Sequence, residues 1–232
     1  MSHELSKPLR VVVTGGLGAL GLSVGGVLSA RGARVALLDR VPATSVSGIT
    51  TVLGGVDLGD EASAASAFAQ AAQSLGGIDA LVNVAGGFQW ETLSCGSIET
   101  WDKLYAMNLR TAVIACRAVL PYLQRQPTGR IVNVGALAAV KAAAGMGAYA
   151  ASKTGVARLT EALADELKDQ HITVNAVLPS ILDTPTNRAD MPDADVSRWV
   201  STQSLGAVIA FLLSDDASAI SGACLPVAGR VL

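Results

Sequence analysis

Seven short apolar runs recur along the chain and constrain its fold more than any other feature: LRVVVT (9–14), ARVALLD (33–39), ITTVLGG (49–55), IDALVNVA (78–85), GRIVNVG (129–135), ITVNAVLP (172–179) and ACLPVA (223–228). Continuous Val, Ile and Leu over such lengths, bounded by Gly or Asp, suits strands buried on both faces. Between them lie Ala- and Leu-rich stretches at 19–31, 61–75, 98–124, 147–169 and 203–213. The stretch 61–75 opens on acidic Glu61, which complements the positive end of a helix dipole. Strand and helix in alternation predict an α/β chain with a doubly wound parallel sheet and helices on both faces. One segment breaks the rhythm: SILDTPTNRADMPDADVSRWVST, residues 180–202, rich in Pro, Asp and Asn. Following a strand's carboxyl end, it is expected to lie over a binding crevice as a substrate lid.

Half of the 232 residues are hydrophobic but only 4% are aromatic, so the core is to be built from Ala, Val, Leu and Gly, as tight helix-on-sheet packing requires. A net charge of −2 without basic runs excludes the clustered positive surface that nucleic acid demands. Cys95, Cys116 and Cys224 are odd in number and irregular in spacing, which fits neither a disulfide framework nor a metal site. They read as buried thiols of a cytoplasmic protein, with no metal expected. Residues 11–30 carry no charge, and length alone would permit a membrane span. Glycine at 15, 16, 18, 21, 25 and 26 weakens an uninterrupted helix, and the preceding MSHELSKPLR, with Glu4 and Pro8, makes a poor signal. No membrane association is expected.

Those glycines have a better use. TGGLGALG, residues 14–21, lies between the first strand and the first helix. Gly15 lets the chain turn, and the helix N-terminus then offers free N–H groups to a pyrophosphate. The competing reading is a merely flexible turn; Asp39, at the end of the second strand, favours a dinucleotide. A carboxylate there accepts the ribose hydroxyls and repels a 2′-phosphate, which favours NAD(H) over NADP(H), although neighbouring Arg40 could pair with that phosphate. Further along, Tyr149 and Lys153 are four apart on a helix and share a face. A phenol titrates near 10, and a nearby ammonium is expected to favour the phenolate, making Tyr149 a proton donor and acceptor. Alone, such a pair could equally mark a surface helix.

In this order the chain resembles the short-chain dehydrogenase/reductase family over nearly its whole length: the glycine turn with Gly15 and Gly21, Asp39, VDL at 56–58, NVAG at 83–86, Asn108 in AMNLR, YAASK at 149–153 and NAVLPSILDT at 175–184. It departs at Ala19, where the family has its middle glycine, and at the ending VAGRVL, where the family has an acidic-Gly-Gly pattern. The resemblance implies a single NAD(P)-binding Rossmann domain over 1–232 with a seven-stranded parallel sheet. It implies an oxidoreductase acting on a small molecule, commonly a homodimer or homotetramer built through helices 98–124 and 147–169. By the same resemblance, the backbone around Gly15, Gly16, Leu17 and Leu20 cradles the pyrophosphate and adenosine ribose. Asp57 and Leu58 border the adenine, and Asn83, Ala85 and Gly86 line the ribose region. Pro179, Leu182 and Thr184 hold the nicotinamide carboxamide. Lys153 holds the nicotinamide ribose, Asn108 anchors a proton-relay water, and Tyr149 is the general acid/base.

Thirteen residues before the catalytic tyrosine the family usually has a serine that donates to the substrate oxygen; here Ala136 stands there, and 134–148 contains no Ser, Thr or Tyr. Losing one such donor costs a factor on the order of 100 to 1,000 if nothing replaces it. Within the family the chain is most similar to the quinonoid dihydropteridine reductase branch, through VAGGF (84–88), VGALAAVKAAAGMGAY and VLPSILDTPTNRADMPDADVSRW (177–199). That branch also carries alanine here and uses NADH. Its substrate is a conjugated imine that spreads charge over ring nitrogens, so a dedicated oxygen donor is less necessary. The alternatives are a ketone or aldehyde reductase or secondary-alcohol dehydrogenase with Ser180 or Thr184 as replacement donor, and a catalytically weak dinucleotide sensor. Phe88, Trp90, Trp101 and Trp199 are candidates for an aromatic pocket, Trp101 more as packing. Ser152 is expected to point off the face shared by Tyr149 and Lys153. His3 and His171 lack partners for metal or triad chemistry.

Overall fold

The computed structural model describes residues 8–231, so His3 and Glu4 lie outside the described residues. In chain order the strands are β1 (Arg10–Thr14), β2 (Arg34–Leu38), β3 (Thr51–Leu53), β4 (Ala80–Asn83), β5 (Gly129–Val134), β6 (Ile172–Pro179), β7 (Leu182–Asp183), β8 (Val200–Ser201) and β9 (Cys224–Val227). The helices are α1 (Ala19–Ala30), α2 (Glu61–Leu75), α3 (Ile98–Tyr105), α4 (Thr111–Leu123), α5 (Gly147–Leu167), α6 (Pro185–Asp190) and α7 (Thr202–Leu212). Seven strands form one parallel sheet in the order β3-β2-β1-β4-β5-β6-β9, a Rossmann arrangement.

Alternation along the strands sorts the core into two layers. Val11 and Val13 of β1, Val35 and Leu37 of β2 and Val82 of β4 pack against α1 and α7. Val12, Ala36, Leu38, Leu81 and Ile131 face the other way, against α2, α4 and α5. Each strand is apolar at odd and even positions because both sheet faces are covered, which is why the runs read as continuous rather than alternating. The small residues do what the composition implied: Ala64, Ala67 and Ala71 of α2 are buried around Phe68.

Two elements differ from the sequence reading. The stretch 98–124 is interrupted between α3 and α4 by a π-helical turn, Ala106–Arg110. The 180–202 segment is not irregular: β7 and β8 pair in parallel within it, and α6 stands between them. The C-terminal VAGRVL turn fastens both of its roots. Ser180 donates from Oγ to the Ala228 oxygen at 2.7 Å. The Arg230 N–H donates to the Arg198 oxygen at 2.9 Å, and the Arg198 guanidinium donates back to the Arg230 oxygen at 2.9 Å. Cys116 is buried as expected, and burial pushes its thiol up to about 12. Cys95 is exposed, contrary to its reading as a buried thiol, because it lies in the loop before α3 rather than on an element facing the sheet. His171 takes a left-handed turn (φ 56°) between α5 and β6. Among the described residues no helix is long and apolar enough to cross a membrane.

At the sheet end away from the crevice, Arg10 is 6% exposed and bridges several elements. Its Nε donates to Asp79 Oδ2 at 2.8 Å, one terminal nitrogen to Asp79 Oδ1 at 2.5 Å and Gln126 Oε1 at 2.8 Å, and the other to the Gly76 oxygen. Removing one partner of such a pair leaves the other buried charge uncompensated, at a cost of about 3 kcal/mol. Asp79→Ala should therefore lower the urea midpoint by that free energy divided by an unchanged m-value; an unchanged midpoint would show that the pair does not hold the sheet.

Candidate active site

The sheet changes its direction of winding between β1 and β4, and the crevice opens there, at their carboxyl ends. Gly15 turns the chain with φ +62°, and a Cβ on it would stand 2.7 Å from the Ala85 nitrogen, so only glycine permits this approach. A Cβ on Gly21 would strike the Gly15 oxygen, which fixes α1 against the turn. Gly18, the N-cap, gives α1 no side-chain cap, leaving its first-turn N–H groups free for an anion. Gly16 and Leu20 are buried beneath them. Asp39 reaches back to this turn: its Oδ2 accepts the Leu17 N–H at 2.9 Å and its Oδ1 the Val41 N–H at 3.2 Å. Each oxygen keeps a lone pair for a hydroxyl. These residues fit a dinucleotide: a side-chain-free cradle, an uncapped helix end and an oriented carboxylate.

Other expected cofactor residues divide. Ala85 donates from its nitrogen to Thr14 Oγ1 at 3.4 Å, and Gly86 is exposed beyond it. Pro179 ends β6, Leu182 lies in β7, and Thr184 caps α6 by accepting the Asn187 N–H at 3.2 Å. Asp57 is exposed, with Oδ1 accepting the Gly59 N–H at 2.8 Å. The Leu58 side chain, however, packs in the core with Phe68. Asn83 corrects the expectation. Its Nδ2 donates to Asn133 Oδ1 at 2.9 Å and Cys116 Sγ at 3.3 Å, while its Oδ1 accepts from Thr14 Oγ1 at 3.3 Å. A buried amide must be satisfied by partners, and these lie inside the sheet rather than in the ribose region. Asn133 continues the chain of bonds to Thr160 Oγ1 of α5 at 2.9 Å. This network, which the sequence reading missed, ties β1, β4 and β5 to the helix carrying Tyr149.

Lys153 is buried, and its Nζ donates to the Val134 oxygen at 2.9 Å. A Cβ on Gly86 would stand 3.2 Å from that nitrogen and 2.5 Å from Asn108 Oδ1, so Gly86 is what lets the three groups converge. Asn108 sits in the π-helical turn, a feature that recurs at functional sites because the extra residue re-aims a side chain. Its Oδ1 accepts the Gly87 N–H at 2.8 Å, and its Nδ2 donates to the Gly87 oxygen at 3.1 Å and to Ser152 Oγ at 3.0 Å. Both amide hydrogens are engaged, so the side chain has none to give to a relay water. Ser152, read as lying off the Tyr149–Lys153 face, accepts from Asn108, the group that meets Lys153 at Gly86, and donates to the Tyr149 backbone oxygen at 2.7 Å. Its place in that bridge could have been suspected only from its position one residue before Lys153.

The electrostatics run opposite to the expectation for Tyr149. Burial pushes its phenol up to about 12, and burial lowers Lys153 to about 8. Lys153 is still largely an ammonium at neutral pH, but it is directed at a backbone carbonyl, and desolvation of the phenol dominates. Ala136 is 5% exposed and extended (φ −159°, ψ 153°) at the end of β5, so the place of the usual serine is filled by a methyl group. Neither suggested substitute is idle: Ser180 directs its hydrogen to Ala228, and Thr184 caps α6. Phe88 meets the Tyr149 ring edge-on at 4.9 Å; Trp90 and Trp101 are partly exposed, and Trp199 is buried. Trp199 is therefore core, not pocket.

Residues 10–195 match the sequence profile of the family described as short chain dehydrogenase. The 2-(R)-hydroxypropyl-CoM dehydrogenase of Xanthobacter autotrophicus is 32% identical over 240 residues, covering 94% of this chain and 96% of its own. A short chain dehydrogenase from Burkholderia cenocepacia, solved in complex with NADP, is 30% identical with a TM-score of 0.86, covering 96% and 97% of the two chains. An NAD+-bound xylitol dehydrogenase is 25% identical with a TM-score of 0.84, covering 94% and 97%.

The buried ammonium has a consequence for stability. Between about pH 8 and the ordinary lysine value of 10.5, the unfolded chain holds a proton that the folded chain has released, so stability rises with pH. Lys153 alone contributes a gain on the order of 2 kcal/mol between pH 7.5 and 9.5, of which the buried Cys116 thiol takes back about 1 kcal/mol as the unfolded chain ionises there. Lys153→Met should be the more stable protein at pH 7.5, and in denaturant melts the wild type should gain about 2 kcal/mol on it by pH 9.5; a difference that stays constant over this range would contradict the burial argument.

Proposed function

The chain belongs to the short-chain dehydrogenase family and is an oxidoreductase of that type, and on this premise we propose that Tyr149 moves the proton that accompanies hydride transfer between a nicotinamide dinucleotide and a small substrate. The observation that carries this is the convergence of Lys153, Asn108 and Gly86 behind Tyr149, at the carboxyl end of the sheet beside the glycine turn. When bound, the nicotinamide supplies or accepts the hydride. Everything else falls to the chain. With its phenol raised to about 12, Tyr149 stands protonated at neutral pH and is poised as a donor to the substrate atom that gains charge. In the reverse direction Tyr149 has first to give up that proton against the burial that raises it. Ser152 and Asn108 fix the backbone of α5 at Tyr149 to the Gly86–Gly87 turn, so the phenol and the cofactor crevice keep one geometry.

Asp39 supports NAD(H) as the preferred cofactor, because its oriented carboxylate suits the two ribose hydroxyls and repels a 2′-phosphate. Ala136 supports a conjugated acceptor of the quinonoid dihydropterin kind, whose charge spreads over ring nitrogens and needs no hydroxyl donor at that place. The second reading, a secondary-alcohol dehydrogenase or ketone reductase, is favoured by the names of the relatives, which include a hydroxypropyl-CoM and a xylitol dehydrogenase.

An NADH-oxidation assay across quinonoid dihydropterin and a panel of ketones and aldehydes separates the two. We expect turnover with the conjugated acceptor, a fall of at least about 100-fold in Tyr149→Phe, and a gain of about 10-fold on simple ketones in Ala136→Ser. Turnover confined to simple carbonyls would overturn the conjugated acceptor in favour of the second reading. Cofactor binding without turnover, indifferent to Tyr149→Phe, would overturn the enzymatic role of the phenol. For the cofactor, Asp39→Ala should weaken NADH binding about 10-fold and raise the relative use of NADPH; an unchanged ratio would remove Asp39 from cofactor choice.

A further inference from the structure

Two segments flank Tyr149: residues 84–97 after β4 and residues 135–146 after β5. They meet through an alternation at 88–91. Phe88 lies edge-on against Tyr149 at 4.9 Å. Gln89 turns the other way, donating to Thr100 Oγ1 at 3.2 Å and accepting from Lys103 at 3.1 Å, which moors the segment to α3. Trp90 returns to the first side: its Nε1–H donates to the Ala144 oxygen at 3.0 Å, and the next residue, Glu91, donates its N–H to the Gly145 oxygen at 2.8 Å. Phe88 and Trp90 thus reach Tyr149 and the Ala144–Gly145 turn before α5 from one segment.

Gly145 is shaped for this contact. It holds φ +75°, and a Cβ on it would lie inside the indole, 2.7 Å from Cδ2 and nearer still to Cε2 and Nε1. The ring thus occupies the space that every other residue type would fill. The segment it holds has little else to stand on. Val140 through Ala144 are exposed, and Val140 alone is 71% exposed. Besides Trp90 and Glu91, the neighbouring tie from another element is Thr154 Oγ1, which donates to the Ala139 oxygen at 3.1 Å.

We propose that Trp90 is a positioning residue for the acceptor side of the site: seated on Gly145, it latches segment 135–146 to segment 84–97 and thereby fixes the wall that runs from Ala136 to Tyr149. This rests on Tyr149 being the proton donor. The cofactor turn around Gly15 meets segment 84–97 at its root, Ala85, whereas the latch holds the segment five residues further on at Trp90, so the two binding events should separate.

The test is steady-state kinetics with the best acceptor of the wild-type enzyme. Trp90→Ala should raise the acceptor KM about 10-fold, the loss of one hydrogen-bonded contact, with kcat and the NADH KM within about 3-fold. Trp90→Phe, which keeps a ring on Gly145 without the N–H bond, should fall between. Gly145→Ala should resemble Trp90→Ala, and combining the two should add little, because each breaks the same contact. A parallel rise in the NADH KM, or effects that multiply in the double variant, would overturn the latch. Hydrogen exchange reads the latch without turnover: amides of 137–146 should exchange about 10-fold faster in Trp90→Ala, and unchanged exchange would overturn it. A wild-type enzyme that fails to oxidise NADH with every acceptor tested would remove the catalytic reading of Tyr149, while the exchange result would still stand or fall on Trp90.

Discussion

The approach of Gly15 to Ala85, across the gap where β1 and β4 send their connections to opposite faces of the sheet, is the constraint on which the rest of the site depends. It brings the end of β1 against the end of β4 and so opens a crevice whose floor is backbone. The uncapped N-terminus of α1 and the Asp39 carboxylate line one end of that crevice. Gly86, Asn108 and Lys153 close the other. Beneath it, the chain of bonds Thr14–Asn83–Asn133–Thr160 carries the same registration through the sheet to α5. A buried amide network of this kind is stabilising only when every member is paired, so it also penalises any slippage of β5 or α5 that would move Tyr149.

The site holds two titrating groups in an environment that disfavours charge on both. Burial raises the phenol and lowers the ammonium, so at neutral pH the pair rests as neutral Tyr149 and a Lys153 that is still largely charged. Four-residue spacing says only that the two side chains share a face; the Val134 carbonyl, which accepts from Nζ, decides where the charge is directed. The replacement of a hydroxyl by the Ala136 methyl deepens the apolar character of the same wall. A cleft of this sort does little to hold a full charge on one substrate oxygen, in keeping with an acceptor that disperses charge.

Much of the fold was legible because it rests on composition repeated along the chain. All seven sheet strands fall within the apolar runs, and 61–75 became α2 residue for residue, since a strand covered on both faces can be recognised from continuous Val, Ile and Leu alone. What escaped was set by distant partners. AMNLR is ordinary helical sequence, and the π-helical turn there accompanies the bonds of Asn108 to Gly87 and Ser152. The 180–202 segment looked irregular because its order comes from pairing between β7 and β8 and from the turn at 228–230, none of it local. Leu58 and Asn83 sit in recognisable motifs, yet their side chains turn inward, since a motif fixes where the backbone passes and not which neighbour fills the side beneath it.

By itself, then, the sequence determined the winding of the sheet, the position of the glycine turn, the acid at the end of β2 and the helical pairing of Tyr149 with Lys153, because each follows from local periodicity or from residue types that only one backbone geometry tolerates. The tertiary structure alone decided the direction of the two pKa shifts, the engagement of Asn108, the inward turn of Asn83 and the seat of Trp90 on Gly145. Those depend on burial and on contacts between segments many residues apart, and a one-dimensional pattern carries no record of which groups lose their water together.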